Sequence, residues 1–116
     1  MAVDRLATFR TFIARTPGDP FPRYGLAMEL RTRGDLESSA AAFDELVAAF
    51  PDYVPSYLMS GGVLAELGRR DDAIARYRRG IEVATVKGDH HARGELESAL
   101  VTIHPDADAS GGGTAP

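Results

Sequence analysis

The sequence predicts an all-α chain of about six helices, packed as antiparallel pairs in a stacked array. Three observations predict it. Apolar residues recur at helical spacing in six separate windows, and no window alternates as a strand does. Gly and Pro fall between those windows, where helices stop and start. Like residues also return every 34 positions: Phe9, Phe43 and Tyr77; Ile13, Val47 and Ile81; Leu30 and Leu64; Gly34 and Gly68; Pro17 and Pro51. A period of this length marks a repeat array, in which each unit leaves an apolar face for its neighbour to cover.

The first helix is expected from about Val3 to Arg15, with Leu6, Phe9, Phe12 and Ile13 on one side and Pro17-Gly18 ending it. The second runs from about Pro22, a tolerated first-turn proline, to Arg33. Its core stripe is Leu26, Ala27 and Leu30, and Gly34 stands where a left-handed cap residue belongs. Asp35 can cap the third helix, whose stripe is Leu36, Ala40, Phe43, Val47 and Phe50, closed by Pro51. The fourth starts at Pro55, carries Tyr57, Gly61 and Leu64, and ends at Leu67-Gly68. The fifth opens near Asp71, carries Ala73, Ile74, Tyr77 and Ile81, and stops at Lys87-Gly88. Asp89 can cap the sixth, with Ala92, Leu96, Leu100 and Ile103. Residues 1–104 thus form one repeat domain. Residues 105–116 form a small, polar, Gly-rich tail expected to be disordered. Phe9, Phe43 and Tyr77 are the expected core anchors. Gly25, Gly61, Gly62, Gly80 and Gly94 lie inside helices, each costing on the order of 1 kcal/mol relative to Ala; close helix contacts would account for them, Gly61 against the Ala73 region.

Composition narrows the function. Of 116 residues, 44% are apolar and 26% charged, ordinary for a globular chain. The formal charge of −4 argues against nucleic acid, whose binders usually present a basic face. No cysteine means no disulfide, thiolate metal site or cysteine nucleophile. No signal-like start and no membrane-length apolar run is present. The expectation is a cytoplasmic protein without a membrane partner.

The residues that return at this step carry a resemblance. Leu26-Ala27, Leu30, Gly34-Asp35, Phe43 and Pro51 form one unit, and Tyr57, Gly61, Leu64, Gly68, Ala73 and Tyr77 the next. Helix pairs so marked resemble the tetratricopeptide repeat over roughly residues 3 to 103. Arg23 stands where an aromatic residue is usual, and Gly80 where the other units have Phe12 and Leu46. The resemblance implies a short right-handed superhelix. The first helix looks like the second half of a preceding pair, and the sixth looks like a closing helix.

It also implies a concave groove lined by the first helix of each pair. Phe21, Tyr24, Met28 and Arg31 form a second stripe on helix two, and Leu58, Gly62 and Ala65, with Met59 beside them, form one on helix four. Tyr offers rigid contact area and Met adaptable area. Gly25 and Gly62 would leave room for a ligand backbone, and Arg31, Glu66 and Arg93 would supply charge at the rim. The stripe has a second reading as core, because an inner repeat helix also touches the preceding pair. Chaperone-binding members of the family grip a C-terminal carboxylate with Lys, Asn and Arg. Here Tyr24, Met28 and Met59 occupy the first three of those places and only Arg93 matches, so that ligand class is not expected.

Other signals are weaker. His91 and Glu95 share a helix face at i, i+4, but two ligands are few for a metal site; His90 and His91 read as a solvated helix start. Arg69, Arg70, Arg76, Arg78 and Arg79 cluster on helix five, with Asp72–Arg76 and Arg78–Glu82 as expected i, i+4 pairs. No phosphate loop or catalytic set is evident, so neither enzyme activity nor a cofactor or metal is expected. The expected function is binding of an apolar helix or extended peptide of another protein, by a monomer or weak homodimer. The alternative is a self-assembling scaffold whose groove a second copy fills.

Overall fold

A computed structural model describes residues 4–104; the expected tail lies outside the described residues, as do the first three positions. Six helices follow one another: α1 Arg5–Arg15, α2 Pro20–Thr32, α3 Leu36–Ala49, α4 Pro55–Glu66, α5 Arg70–Lys87 and α6 His90–Ile103. No strand occurs among the described residues.

Aspartates start four of the helices. The carboxylates of Asp4, Asp19, Asp35 and Asp89 accept the backbone N–H of Leu6, Phe21, Ser38 and Ala92 at 3.0–3.2 Å, satisfying a donor that has no intrahelical partner. Asp19 and Pro20 place the start of α2 two residues before Pro22, because the capped Asp-Pro step already supplies both start signals. At the other end of α2, Gly34 adopts φ +83°. This lets its N–H reach Arg31 O and the N–H of Asp35 reach Leu30 O, at 2.9 and 3.0 Å. The paired bonds satisfy two carbonyls and reverse the chain within two residues. Gly68 and Gly88 close α4 and α5 with the same bonds.

Each helix packs on the next, and α2 also meets α4 while α4 meets α6. The first helices of successive pairs therefore lie side by side along a stack of 59 × 29 × 20 Å. One core cluster joins α2–α5 through Ala27, Ala40, Phe43, Leu46, Val63, Leu64 and Ala73. The second joins α4–α6 around Tyr57, Ile74, Tyr77, Leu96 and Leu100. Phe43 and Tyr57 have no exposed surface. Most buried polar groups are bonded: Ser39 Oγ donates to Ala27 O at 2.7 Å, Tyr57 Oη to Pro51 O at 2.6 Å, and Arg76 Nη1 to Ser60 Oγ at 2.8 Å, while Arg23 Nε is buried without a partner.

Several expectations are corrected. Phe9 is only partly buried, unlike Phe43 and Tyr77, and α1 buries no residue fully. Among the described residues no helix precedes α1, so Phe9 leans on α2 over Gly25 instead of entering a closed pair. Gly61 lies under the ring of Tyr77, one turn along α5 from Ala73. Gly80 is a true close contact: a Cβ there would stand 2.6 Å from Tyr57 Cβ. Gly94 faces open space, and Gly62 meets only the Arg31 guanidinium at 3.5 Å. Neither expected ion pair on α5 forms. Arg76 instead reaches Asp44 on α3 at 2.8 Å, while Asp72 and Glu82 pair with Arg69 and Arg79 at 3.0 Å.

Candidate functional site

The side-by-side first helices α2, α4 and α6 enclose a concave pocket of about 280 Å³. Its floor is apolar. Tyr24 contributes from α2, Leu58 and Met59 from α4, and Ala92 and Leu96 from α6, with Val54 and Pro55 at the entry to α4. The expected residues Tyr24, Leu58 and Met59 are thus brought together in one pocket.

Tyr24 holds a double position. Its ring meets Phe43 edge-on at 6.2 Å between centroids and Tyr53 at 5.8 Å, a favourable arrangement for aromatic quadrupoles. Burial pushes its phenol above the ordinary value, the nearby Tyr53 adds to this, and Arg31 works against it. Tyr24 thus both contacts the core and lines the pocket. Tyr24, Met28, Met59 and Ala65 pack against the α2–α5 core yet stay partly exposed.

The remaining expected residues divide. Arg31 and Glu66 form a clasp between α2 and α4: Arg31 Nε donates to Glu66 Oε1 at 3.0 Å, Arg31 Nη2 bonds the same oxygen, and Nη1 lies 3.7 Å from Met59 Sδ. The clasp covers Gly62, so backbone room expected there is taken by the Arg31 guanidinium. Gly25 is likewise filled, by the Phe9 ring, because α1 packs on that face of α2. Met28 and Ala65 do not line the pocket. Arg93 pairs with Glu97 at 3.6 Å and stands outside it. Phe21 is exposed at the start of α2.

The sixth helix supplies a wall that sequence reasoning missed. Asp89, His91, Ala92, Glu95 and Leu96 all line the pocket. A signal was present: the 34-residue step that links Tyr24 to Leu58 leads on to Ala92. His91 Nε2 and Glu95 Oε1 are 3.1 Å apart, so the shared face is real. Among the described residues no group of three His, Cys, Asp or Glu gathers as a metal would need.

Solved structures share this fold. The chain is similar to the solution structure of a tetratricopeptide repeat domain protein from Salinibacter ruber, with 40% identity and a TM-score of 0.73, covering 77% of this chain and 90% of that one. A crystal structure of a tetratricopeptide repeat domain protein from the same organism is 41% identical, with a TM-score of 0.69, covering 73% and 96%. The chain belongs to the tetratricopeptide repeat family. No protein-family model matches it, and no curated protein does.

As a tetratricopeptide repeat domain, the chain is a helical-repeat module of the protein-interaction kind. α2 with α3 and α4 with α5 are the complete pairs. The departure from the repeat at Gly80 has a cause: Tyr57 and Leu96 converge on it, leaving no space for a side chain. No described helix is long and apolar enough to cross a membrane.

Proposed function

We propose that this repeat domain binds a segment of another protein, an apolar helix or extended peptide, in the groove between α2, α4 and α6. One observation carries this reading. Three successive first helices place Tyr24, Leu58, Met59 and Ala92 around a single concave, mostly apolar pocket. Partly exposed apolar side chains backed by rigid core are what helix-in-groove recognition requires.

The occupant proposed is a segment of a separate protein rather than residues 105–116. Residues 105–116 contain no Leu, Ile, Val, Met or aromatic residue to fill the pocket. Selection from a displayed peptide library tests the proposal. Enriched peptides should carry large apolar residues and lose binding to Leu58→Glu and to Ala92→Glu, both first shown to be folded by circular dichroism. Peptides that bind the wild type and both variants alike would place recognition on another face. A concentration-dependent dimer in light scattering, abolished by the same variants, would assign the groove to a second copy.

A further inference from the structure

The pocket's walls differ in charge. The α4 wall is uncharged, formed by Leu58 and Met59 with Val54 and Pro55. The α6 wall carries Asp89 and Glu95 above Ala92 and Leu96. Glu95 has its side chain half exposed, with His91 Nε2 3.1 Å from its carboxylate. Asp89 uses one oxygen to cap α6, accepting from Ala92 N at 3.1 Å. The arginines that could offset these acids are committed elsewhere, Arg31 to Glu66 and Arg93 to Glu97. Apart from His91, no basic residue lines the pocket, so an apolar floor meets a mainly acidic rim.

Size limits the occupant further. About 280 Å³ lies just below the roughly 300–1,000 Å³ of small-molecule sites. One or two large side chains fit it better than a whole cofactor does.

Resting on the groove reading above, we propose that the partner segment is cationic and apolar: a large apolar side chain seated against Leu58 and Met59, with Lys or Arg beside it facing Glu95 and Asp89. The apolar contact would supply affinity and the acidic rim would select among partners, since charge complementarity sets specificity and encounter rate more than raw affinity. Peptides with acidic flanks would be repelled by the same two carboxylates.

Two short labelled peptides test this by fluorescence anisotropy. Both carry the same central Leu-Phe pair; one is flanked by Lys, the other by Glu. The Lys-flanked peptide should bind roughly tenfold tighter at low salt, with the preference shrinking at high salt as the rim is screened. Glu95→Gln should reduce the preference and Glu95→Lys should remove or reverse it; both changes are at a half-exposed position and keep the fold. Leu58→Glu should weaken both peptides. Equal binding of the two peptides by the wild type, with both lost in Leu58→Glu, would overturn the cationic preference and leave the groove intact. A Lys preference unchanged by Glu95→Lys would overturn the placement of the cation. No binding of either peptide would overturn this proposal, while library peptides that still depend on Leu58 would preserve the groove reading.

Discussion

At the scale of single residues, space decides more than propensity. Gly80 and Gly94 are both helical glycines, and a helix-propensity argument treats them alike. Their surroundings are opposite. A Cβ at Gly80 would meet Tyr57 at 2.6 Å and both Leu96 methyls at 3.1 Å, whereas at Gly94 nothing lies within 4 Å. Gly80→Leu should therefore lower stability by about 1–3 kcal/mol through overpacking, while Gly94→Ala should raise it by up to about 1 kcal/mol. Chemical denaturation of the two variants checks the opposite signs; stabilisation by both would disprove the close contact at Gly80. Phe43 tests the core directly. It is fully buried among Ala27, Ala40 and Leu46 and supports the edge of Tyr24. Phe43→Ala should cost about 3–5 kcal/mol, and an unchanged melting temperature would remove it from the core.

At the scale of helices, the ends were more legible than the faces. Asp35, Asp89, Gly34, Gly68 and Gly88 mark their boundaries in sequence because caps are local: one side chain or one φ angle suffices. The start of α2 was misplaced by two residues only because Pro20 and Pro22 compete for the same role. Burial of a face is not local. Leu6, Phe9 and Ile13 have the spacing of a core stripe, yet α1 buries none of them fully, since among the described helices it packs against α2 alone. Local opening should follow that difference. Hydrogen exchange of α1 amides should be faster than that of α4 and α5, which lie inside the stack with neighbours on several sides. Equal protection across the helices would show that α1 opens only with the whole domain.

Across the whole molecule, the four tyrosines tie the stack together and give it a pH limit. Burial raises the phenol pKa of Tyr24, Tyr53, Tyr57 and Tyr77 above the ordinary value, with smaller contributions from neighbouring charges. In the unfolded chain these phenols lose their protons first, so the unfolded state binds fewer protons over that range and stability falls as pH rises. The tyrosine contribution should be fully present below about pH 10 and be lost progressively above it. Thermal melts from neutral to alkaline pH measure this, and a melting temperature indifferent to pH beyond 10 would contradict buried phenols. The same stacking creates the candidate site. Half of it was legible: Tyr24, Leu58 and Met59 stand on second stripes of two helices. The α6 wall was not, because Asp89 reads only as a cap and Glu95 only as the i+4 neighbour of His91 until α6 is laid beside α4.

The sequence alone determined the helix count, the pairing and the family, because a 34-residue period, aspartate caps and glycine stops are written in neighbouring residues and need no partner to be read. Tertiary structure decided which apolar faces are closed and which stay open. Phe9 and Phe43 hold the same repeat position and differ only in what surrounds them. Gly25 and Gly62 lost their expected room to Phe9 and to the Arg31–Glu66 clasp, contacts made between helices. The acidic rim of the groove has the same origin: its charge is local to α6, but its meeting with the apolar wall of α4 exists only once the helices stack.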